Sequence, residues 1–110
     1  MALEKKEVVI SGYKNANGEL EDRLYLFTKF TTTKGMEVQF KLFDEEFKMT
    51  PDFIKDVICS SVSVGSTGLM KPAQFDEYFS GRFQHLQEVY AAVLEFNFDE
   101  NFTESASEEK

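Results

Sequence analysis

The stretch from Lys71 to Phe98 constrains this chain most, because its apolar residues recur at steps of three and four positions. That spacing predicts a single apolar stripe along a helix. The residues of the stripe are Phe75, Tyr78, Phe79, Phe83, Leu86, Val89, Tyr90, Val93 and Leu94. Pro72 suits the first turn of a helix, so we expect a long amphipathic helix from Pro72 to about Glu95.

The predicted helix is long compared with the rest of the chain. At about 1.5 Å per residue it would extend about 36 Å, more than a small sheet and one short helix can cover. We therefore expect part of the stripe to meet another subunit or another protein, and burial of the whole stripe in the core remains the alternative. Ser80-Gly81 predicts either a kink or the close approach of another element. The candidate protein-interaction residues are Phe75, Phe79, Phe83, Leu86, Tyr90, Leu94 and Phe98.

The first part of the chain has the pattern of strands. Glu7 to Tyr13 is rich in β-branched residues and is followed by Asn17-Gly18, a strong tight-turn signal. Leu24 to Phe30 is rich in strand formers, and Met36 to Leu42 alternates apolar with polar residues. These segments predict a three-stranded antiparallel meander with one covered face.

A first helix is predicted from Pro51 to about Ser61, because Thr50 can cap its free N–H groups and proline fits its first turn. Ser60 to Gly68 reads as a flexible connection or hinge. The expected fold is α+β: the meander, then two helices, the second long and amphipathic, and a disordered acidic C-terminal tail. We expect residues 1–103 to form a single α+β domain and residues 104–110 to form the tail.

The charge is concentrated at the C-terminus. The formal net charge is −8, and residues 91–110 contain six acidic side chains and one lysine. Without a basic patch, a nucleic-acid-binding role is disfavoured. No apolar run is long enough to span a membrane, and the single Cys59 reads as an inert buried thiol, so we expect a soluble protein of a reducing compartment.

No residue pattern predicts catalysis, a cofactor or a metal. The only histidine, His85, reads as a surface residue. Asp44, Glu45 and Glu46 read as a solvated turn, and Gly65 and Gly68 lack the lysine of a phosphate-binding loop. We therefore expect a protein that is not an enzyme.

Several segments carry a family resemblance. The chain combines the helix start TPDFIKD, a glycine-serine connection, the segment FDEYFSGRFQHLQEVYAAVLEFNF and the closing FDENFTE. In this order, over roughly residues 40–104, they resemble the tail assembly chaperones of long-tailed bacteriophages and prophages, especially those of Gram-positive hosts. The predicted N-terminal meander has no counterpart in the resemblance.

The resemblance implies a non-enzymatic role in the cytoplasm of the infected or lysogenic bacterium. Such chaperones coat the hydrophobic tape measure protein, help to recruit tail tube protein, and are absent from the mature virion. They commonly form homo-oligomers, and many have a longer, frameshifted form. The acidic TESASEEK end would be where that extension joins.

Two other functions remain open at this stage. One is a small acidic phage- or host-encoded inhibitor or regulator that binds a folded partner, for which strongly salt-dependent binding is expected. The other is a structural subunit that stays in the virion.

Overall fold

The computed structural model describes residues 3–65 and 68–98. In these residues the chain forms an α+β fold with one antiparallel sheet of order β1-β2-β3, which confirms the predicted class. The strands are β1 (Lys5–Lys14), β2 (Leu20–Thr28) and β3 (Val62–Ser63), and the helices are α1 (Thr32–Leu42), α2 (Pro51–Cys59), α3 (Pro72–Tyr78) and α4 (Phe83–Phe98). The predicted acidic tail, residues 104–110, lies outside the described residues.

The first two strands form the predicted hairpin. Val9 pairs with Leu24, and the ladder shifts register between Ile10 and Tyr13. The side-chain oxygen of Asn15 accepts hydrogen bonds from the backbone N–H groups of Asn17 and Glu19, at 2.9 and 3.0 Å. This local bonding closes the turn at the position that Asn17-Gly18 predicted.

The predicted third strand, Met36 to Leu42, is wrong, because this segment lies within α1. The hydroxyl of Thr31 caps the helix by accepting a hydrogen bond of 3.2 Å from the backbone N–H of Lys34. The alternating segment also contains two pairs of apolar residues that are four positions apart and can share a helix face, Met36 with Phe40 and Val38 with Leu42. On the helix Val38 and Leu42 turn inward, while Met36 and Phe40 are exposed.

The third strand comes instead from the segment predicted as a flexible connection. In β3, Val62 pairs with Phe27 and Ser63 pairs with Leu26. Ser63 also forms a bridge to Leu69. Val62 is fully buried, and its burial stabilises a pairing that is only two residues long.

The helix starts are confirmed, but the single long helix is wrong. Thr50 caps α2 through the N–H of Phe53 at 3.1 Å, and α3 starts at Pro72. The chain then breaks at Gly81, whose φ is 74°, a backbone conformation that glycine adopts readily. Arg82 holds the corner by donating from Nε to the carbonyl of Lys14 and from Nη1 to that of Tyr78.

The core lies between the inner face of the sheet and helices α2, α3 and α4. Its most deeply buried apolar side chains include Tyr25, Phe27, Val57, Ile58, Val62, Val89 and Val93. Cys59 lies at its margin, half-buried, and burial raises the pKa of its thiol. None of the helices within residues 3–65 and 68–98 is long and apolar enough to cross a membrane.

Candidate functional site

The seven candidate interaction residues do not share one surface in the structure. Phe75, Phe79 and Leu94 are buried in the core. Phe98 packs its ring 5.9 Å from that of Phe30. The remaining three are Phe83, Leu86 and Tyr90, of which Phe83 is 67% exposed and the other two are partly buried.

These three residues line one side of an apolar groove between α2 and α4. We name it the α2–α4 groove; it is lined by Met49, Ile54, Phe83, Leu86, Gln87 and Tyr90 and has a volume of about 440 Å³. On α4, the residues at 83, 86, 87 and 90 follow the spacing of one helical face. The groove therefore presents a row of apolar side chains with a single amide, that of Gln87.

The opposite wall depends on the start of α2. The cap formed by Thr50 and the proline that follows it fix where this helix begins. Met49 stands just before the helix and is exposed, while Ile54 is half-buried one turn into it. The unbranched Met49 side chain is well suited to packing against partners of varying shape.

Tyr90 is unusual in this groove. Its hydroxyl is buried and finds no hydrogen-bond partner among the residues that the structure describes. Burial also raises the pKa of Tyr90. The ring contributes to a second groove on the other side of α4, beside Ile10 and Ala92. Tyr90 thus forms part of the partition between two grooves.

The prediction that His85 lies on the surface is wrong. This side chain is 1% exposed, with Nε2 bonded to the Tyr25 hydroxyl at 2.6 Å and Nδ1 to the carbonyl oxygen of Ser11 at 2.8 Å. The sequence does contain a signal for this burial, because His85, Val89 and Val93 are spaced by four residues and share one face of the helix.

The described parts of the chain offer little for chemistry. In residues 3–65 and 68–98, no group of three or more His, Cys, Asp or Glu side chains is placed to hold a metal ion. Both ring nitrogens of His85 are engaged in hydrogen bonds. Asp44, Glu45 and Glu46 are exposed after α1, as predicted for a solvated turn. The α2–α4 groove is suited to binding an apolar surface.

A protein-family model matches the part of the chain that forms this groove. The family model for phage tail assembly chaperone proteins (TAC) matches residues 45–108, more than half of the 110 residues. The matched span contains all six residues that line the α2–α4 groove, whereas β1, β2 and α1 precede it. No curated protein and no solved structure matches the chain. The family match confirms the resemblance drawn from the sequence, and the chain belongs to the phage tail assembly chaperone family.

Proposed function

We propose that this protein is a non-enzymatic tail assembly chaperone that holds an apolar helical segment of the tape measure protein in the α2–α4 groove. The observation that carries the proposal is the half-exposed face of α4, with Phe83 at its edge, inside the span that matches the family model. A groove of this kind accepts the apolar side of a helix. Binding would keep the client soluble until the tail assembles.

Phe83 is the expected anchor of this contact. It is 67% exposed, so a client that covers it removes a large apolar surface from water. Full burial of such a side chain contributes about 1.5–3 kcal/mol, enough to make Phe83 a hot spot of the interface. Met49 on the facing wall adds a flexible apolar contact.

The family match also supports a cellular setting, which belongs to the same proposal. The protein acts in the cytoplasm of the infected or lysogenic bacterium, helps to recruit tail tube protein, and leaves before the virion is complete. Mass spectrometry of purified particles checks this setting. Finding the protein there in stoichiometric amounts would favour a structural subunit instead.

The central test is co-expression with the tape measure protein of the same phage, followed by measurement of its soluble fraction. We expect co-expression with a Phe83→Ser, Met49→Ser double variant to give at least about tenfold less soluble tape measure protein than co-expression with the wild type. Leu20→Ser is the matched control, because Leu20 is 72% exposed on β2 and outside the groove. Circular dichroism checks that each variant is folded.

Two results would overturn the proposal. One is full solubilisation by the folded double variant. The other is loss of binding when salt rises from about 0.1 M to about 1 M, because apolar contacts persist under conditions that screen charges. Strong salt dependence would instead favour an acidic regulator that binds a folded partner through its charge.

A further inference from the structure

Strand β1 is an open edge of the sheet. In residues 3–65 and 68–98 the strand order is β1-β2-β3, so β1 has a strand on one side only. The carbonyl of Glu4 accepts a hydrogen bond of 2.8 Å from the N–H of Lys29, which turns the backbone groups of Glu4 toward the β2 side. Because these groups alternate in direction along an antiparallel strand, the N–H and C=O groups of Lys5, Glu7 and Val9 point away from β2.

The open part of this edge ends where α4 meets the strand. The carbonyl oxygen of Ser11, the next in the outward series, bonds Nδ1 of His85 in α4 at 2.8 Å. The ladder between β1 and β2 shifts register just after Ile10. The edge from Lys5 to Val9 therefore carries three pairs of backbone groups that an extended segment of another chain can bond.

A channel runs beside this edge, between β1 and α4. One part has a volume of about 540 Å³, and its walls include Ile10, Glu88, Ala91, Ala92, Leu94 and Glu95. The next part shares Ala92 and Glu95 and continues to Val8 and Lys6. We name the two parts together the β1–α4 channel. It follows the inner face of β1, so the inward side chains of a strand added at the edge would enter it.

The helix side of the channel suits the close approach of a strand. Residues 88, 91, 92 and 95 follow the spacing of one face of α4. In the middle of this face, Ala91 and Ala92 have short side chains and leave room for another backbone. At its two ends stand Glu88 and Glu95, both exposed. Within the part of the chain that the structure describes, neither glutamate forms a salt bridge.

We propose that the edge of β1 and the β1–α4 channel bind an extended segment of another protein, which adds a fourth strand to the sheet. The backbone of this segment bonds Lys5, Glu7 and Val9. Its inward side chains are a small apolar residue between two basic residues, which meet Glu88 and Glu95. On the outer face, Val9 is 59% exposed and packs against an apolar side chain of the segment. The inference goes beyond the proposed function and does not depend on it.

The charges of the channel favour a basic partner over this chain's own C-terminal segment. Residues 99–110 contain five acidic side chains and one lysine, so Glu88 and Glu95 would repel them. Lys6 and Lys29 line the next part of the channel together with an acidic side chain, and the Lys29 ammonium donates to a backbone carbonyl of α4. The part between Glu88 and Glu95 is therefore the one that attracts basic side chains.

A fluorescently labelled synthetic peptide, Thr-Lys-Val-Ala-Val-Lys-Thr, tests this surface by fluorescence anisotropy. As an extended strand it places lysine, alanine and lysine on one side and valine and threonine on the other. Its lysines are about 13 Å apart along the strand, and Glu88 and Glu95 are about 10 Å apart along the helix. The long lysine side chains can span this difference. We expect the wild-type protein to bind the peptide with a dissociation constant of about 10–100 μM.

Two protein variants test the backbone contact and the charge contact separately. Val9→Pro removes an outward N–H, at a position where an edge strand tolerates proline, and should weaken peptide binding at least about tenfold. Val9→Thr is the matched control, because it keeps the N–H and the β-branched shape, and it should bind nearly as well as the wild type. A Glu88→Gln, Glu95→Gln double variant should also weaken binding at least about tenfold. Circular dichroism checks that each variant is folded.

Several results would overturn the proposal. They are no binding of the peptide to the wild type below about 1 mM, unchanged binding by folded Val9→Pro, and unchanged binding by the double glutamine variant. Equal binding of a peptide with glutamates in place of both lysines would also overturn it. If Val9→Pro does not fold, peptides N-methylated at each residue in turn take its place, and binding that no N-methyl group weakens would exclude the backbone pairing.

The same variants separate this inference from the proposed function. Val9→Pro should still solubilise the tape measure protein, and the Phe83→Ser, Met49→Ser variant should still bind the peptide. Loss of peptide binding by the latter variant would place the peptide in the α2–α4 groove and overturn the inference. Sedimentation of the free protein checks for a second copy at the edge. Dimers that folded Val9→Pro abolishes would show that β1 pairs with itself, and the proposal would be wrong.

Discussion

Tyr25 in the central strand donates a hydrogen bond of 2.6 Å from its hydroxyl to Nε2 of His85 in α4. In the neutral imidazole the direction follows from the other ring nitrogen, because Nδ1 faces the carbonyl oxygen of Ser11 at 2.8 Å and must carry the single proton. The Tyr25 oxygen then accepts from the hydroxyl of Tyr78 at 2.9 Å. This chain of bonds ties β1, β2, α3 and α4 together.

Two buried tyrosine hydroxyls allow a matched comparison, because that of Tyr25 is hydrogen-bonded and that of Tyr90 has no partner among the described residues. Tyr25→Phe leaves Nε2 of His85 without its partner in a buried site, so we expect it to lower the free energy of unfolding by about 1–3 kcal/mol. Tyr90→Phe removes a buried hydroxyl that has no partner among the described residues, so it should be neutral or slightly stabilising. Urea unfolding measures both. Equal destabilisation by the two changes would contradict the bonding described here.

The buried tyrosines also predict a loss of stability in alkali. Burial is the main cause that raises the pKa values of Tyr25, Tyr78 and Tyr90 above the ordinary value near 10. Below about pH 10 these tyrosines are neutral in both the folded and the unfolded chain, so the protein keeps its full stability there. The contribution is lost as pH rises, because unfolded tyrosine ionises while folded tyrosine does not. Tyr25, the most buried, should contribute a slope of up to about 1.4 kcal/mol per pH unit.

Urea midpoints between about pH 9 and pH 11.5, recorded with tyrosinate absorbance, check this prediction. The Tyr25→Phe variant is the control and should show a shallower alkaline decline, since it lacks the most buried group. If all the tyrosines ionised near pH 10 while the protein stayed folded, the prediction would be contradicted.

Phe79 and Phe83 lie four residues apart in the same predicted stripe, yet their alanine variants should differ. Phe79 is 2% exposed in the core, so Phe79→Ala should cost about 3–5 kcal/mol of stability. Phe83→Ala should cost less than about 1 kcal/mol and act mainly on client binding. Thermal unfolding and the client solubility assay separate the two effects, and a strongly destabilised Phe83→Ala would contradict its exposure.

Two glycine substitutions should have opposite signs. Gly81 has a φ of 74°, so Gly81→Ala forces alanine into a left-handed conformation and should cost about 1 kcal/mol or more. Gly35 lies within α1, where an added Cβ would meet Phe30 Cβ at an ordinary distance of 3.7 Å. Gly35→Ala should therefore stabilise the protein by about 0.4–1 kcal/mol. Chemical denaturation measures both changes, and a stabilising Gly81→Ala would show that the α3–α4 break is not needed.

Part of the fold could be predicted because its signals are local. Asn17-Gly18 marks a turn by its own backbone preferences, and Thr50-Pro51 marks a helix start by capping. The segment Met36–Leu42 could not be decided in this way, because its alternating residues fit a strand as well as two faces of a helix. The two residues of β3 are too few to carry a pattern, and they form a strand only because β2 lies beside them.

The candidate site shows the same division. The spacing of Phe83, Leu86 and Tyr90 already placed them on one face, but Phe75 and Phe79 shared the same stripe and proved to be core. Which residues remain exposed depends on the break at Gly81, which gives α3 and α4 separate directions. The spacing of apolar residues shows which of them share a helix face, but it does not show which other element packs against that face.

The sequence by itself determined the α+β class, the hairpin, the starts of α2 and α3, and the family, because each rests on short-range spacing or on the order of segments. Only the tertiary structure decided that the stretch from Lys71 to Phe98 is two helices and that His85 is buried. It also decided that Phe83, Leu86 and Tyr90 line a groove with Met49 and Ile54, while Phe75 and Phe79 are buried. Burial is a relation between distant segments, so it emerges only when the chain has folded around one core.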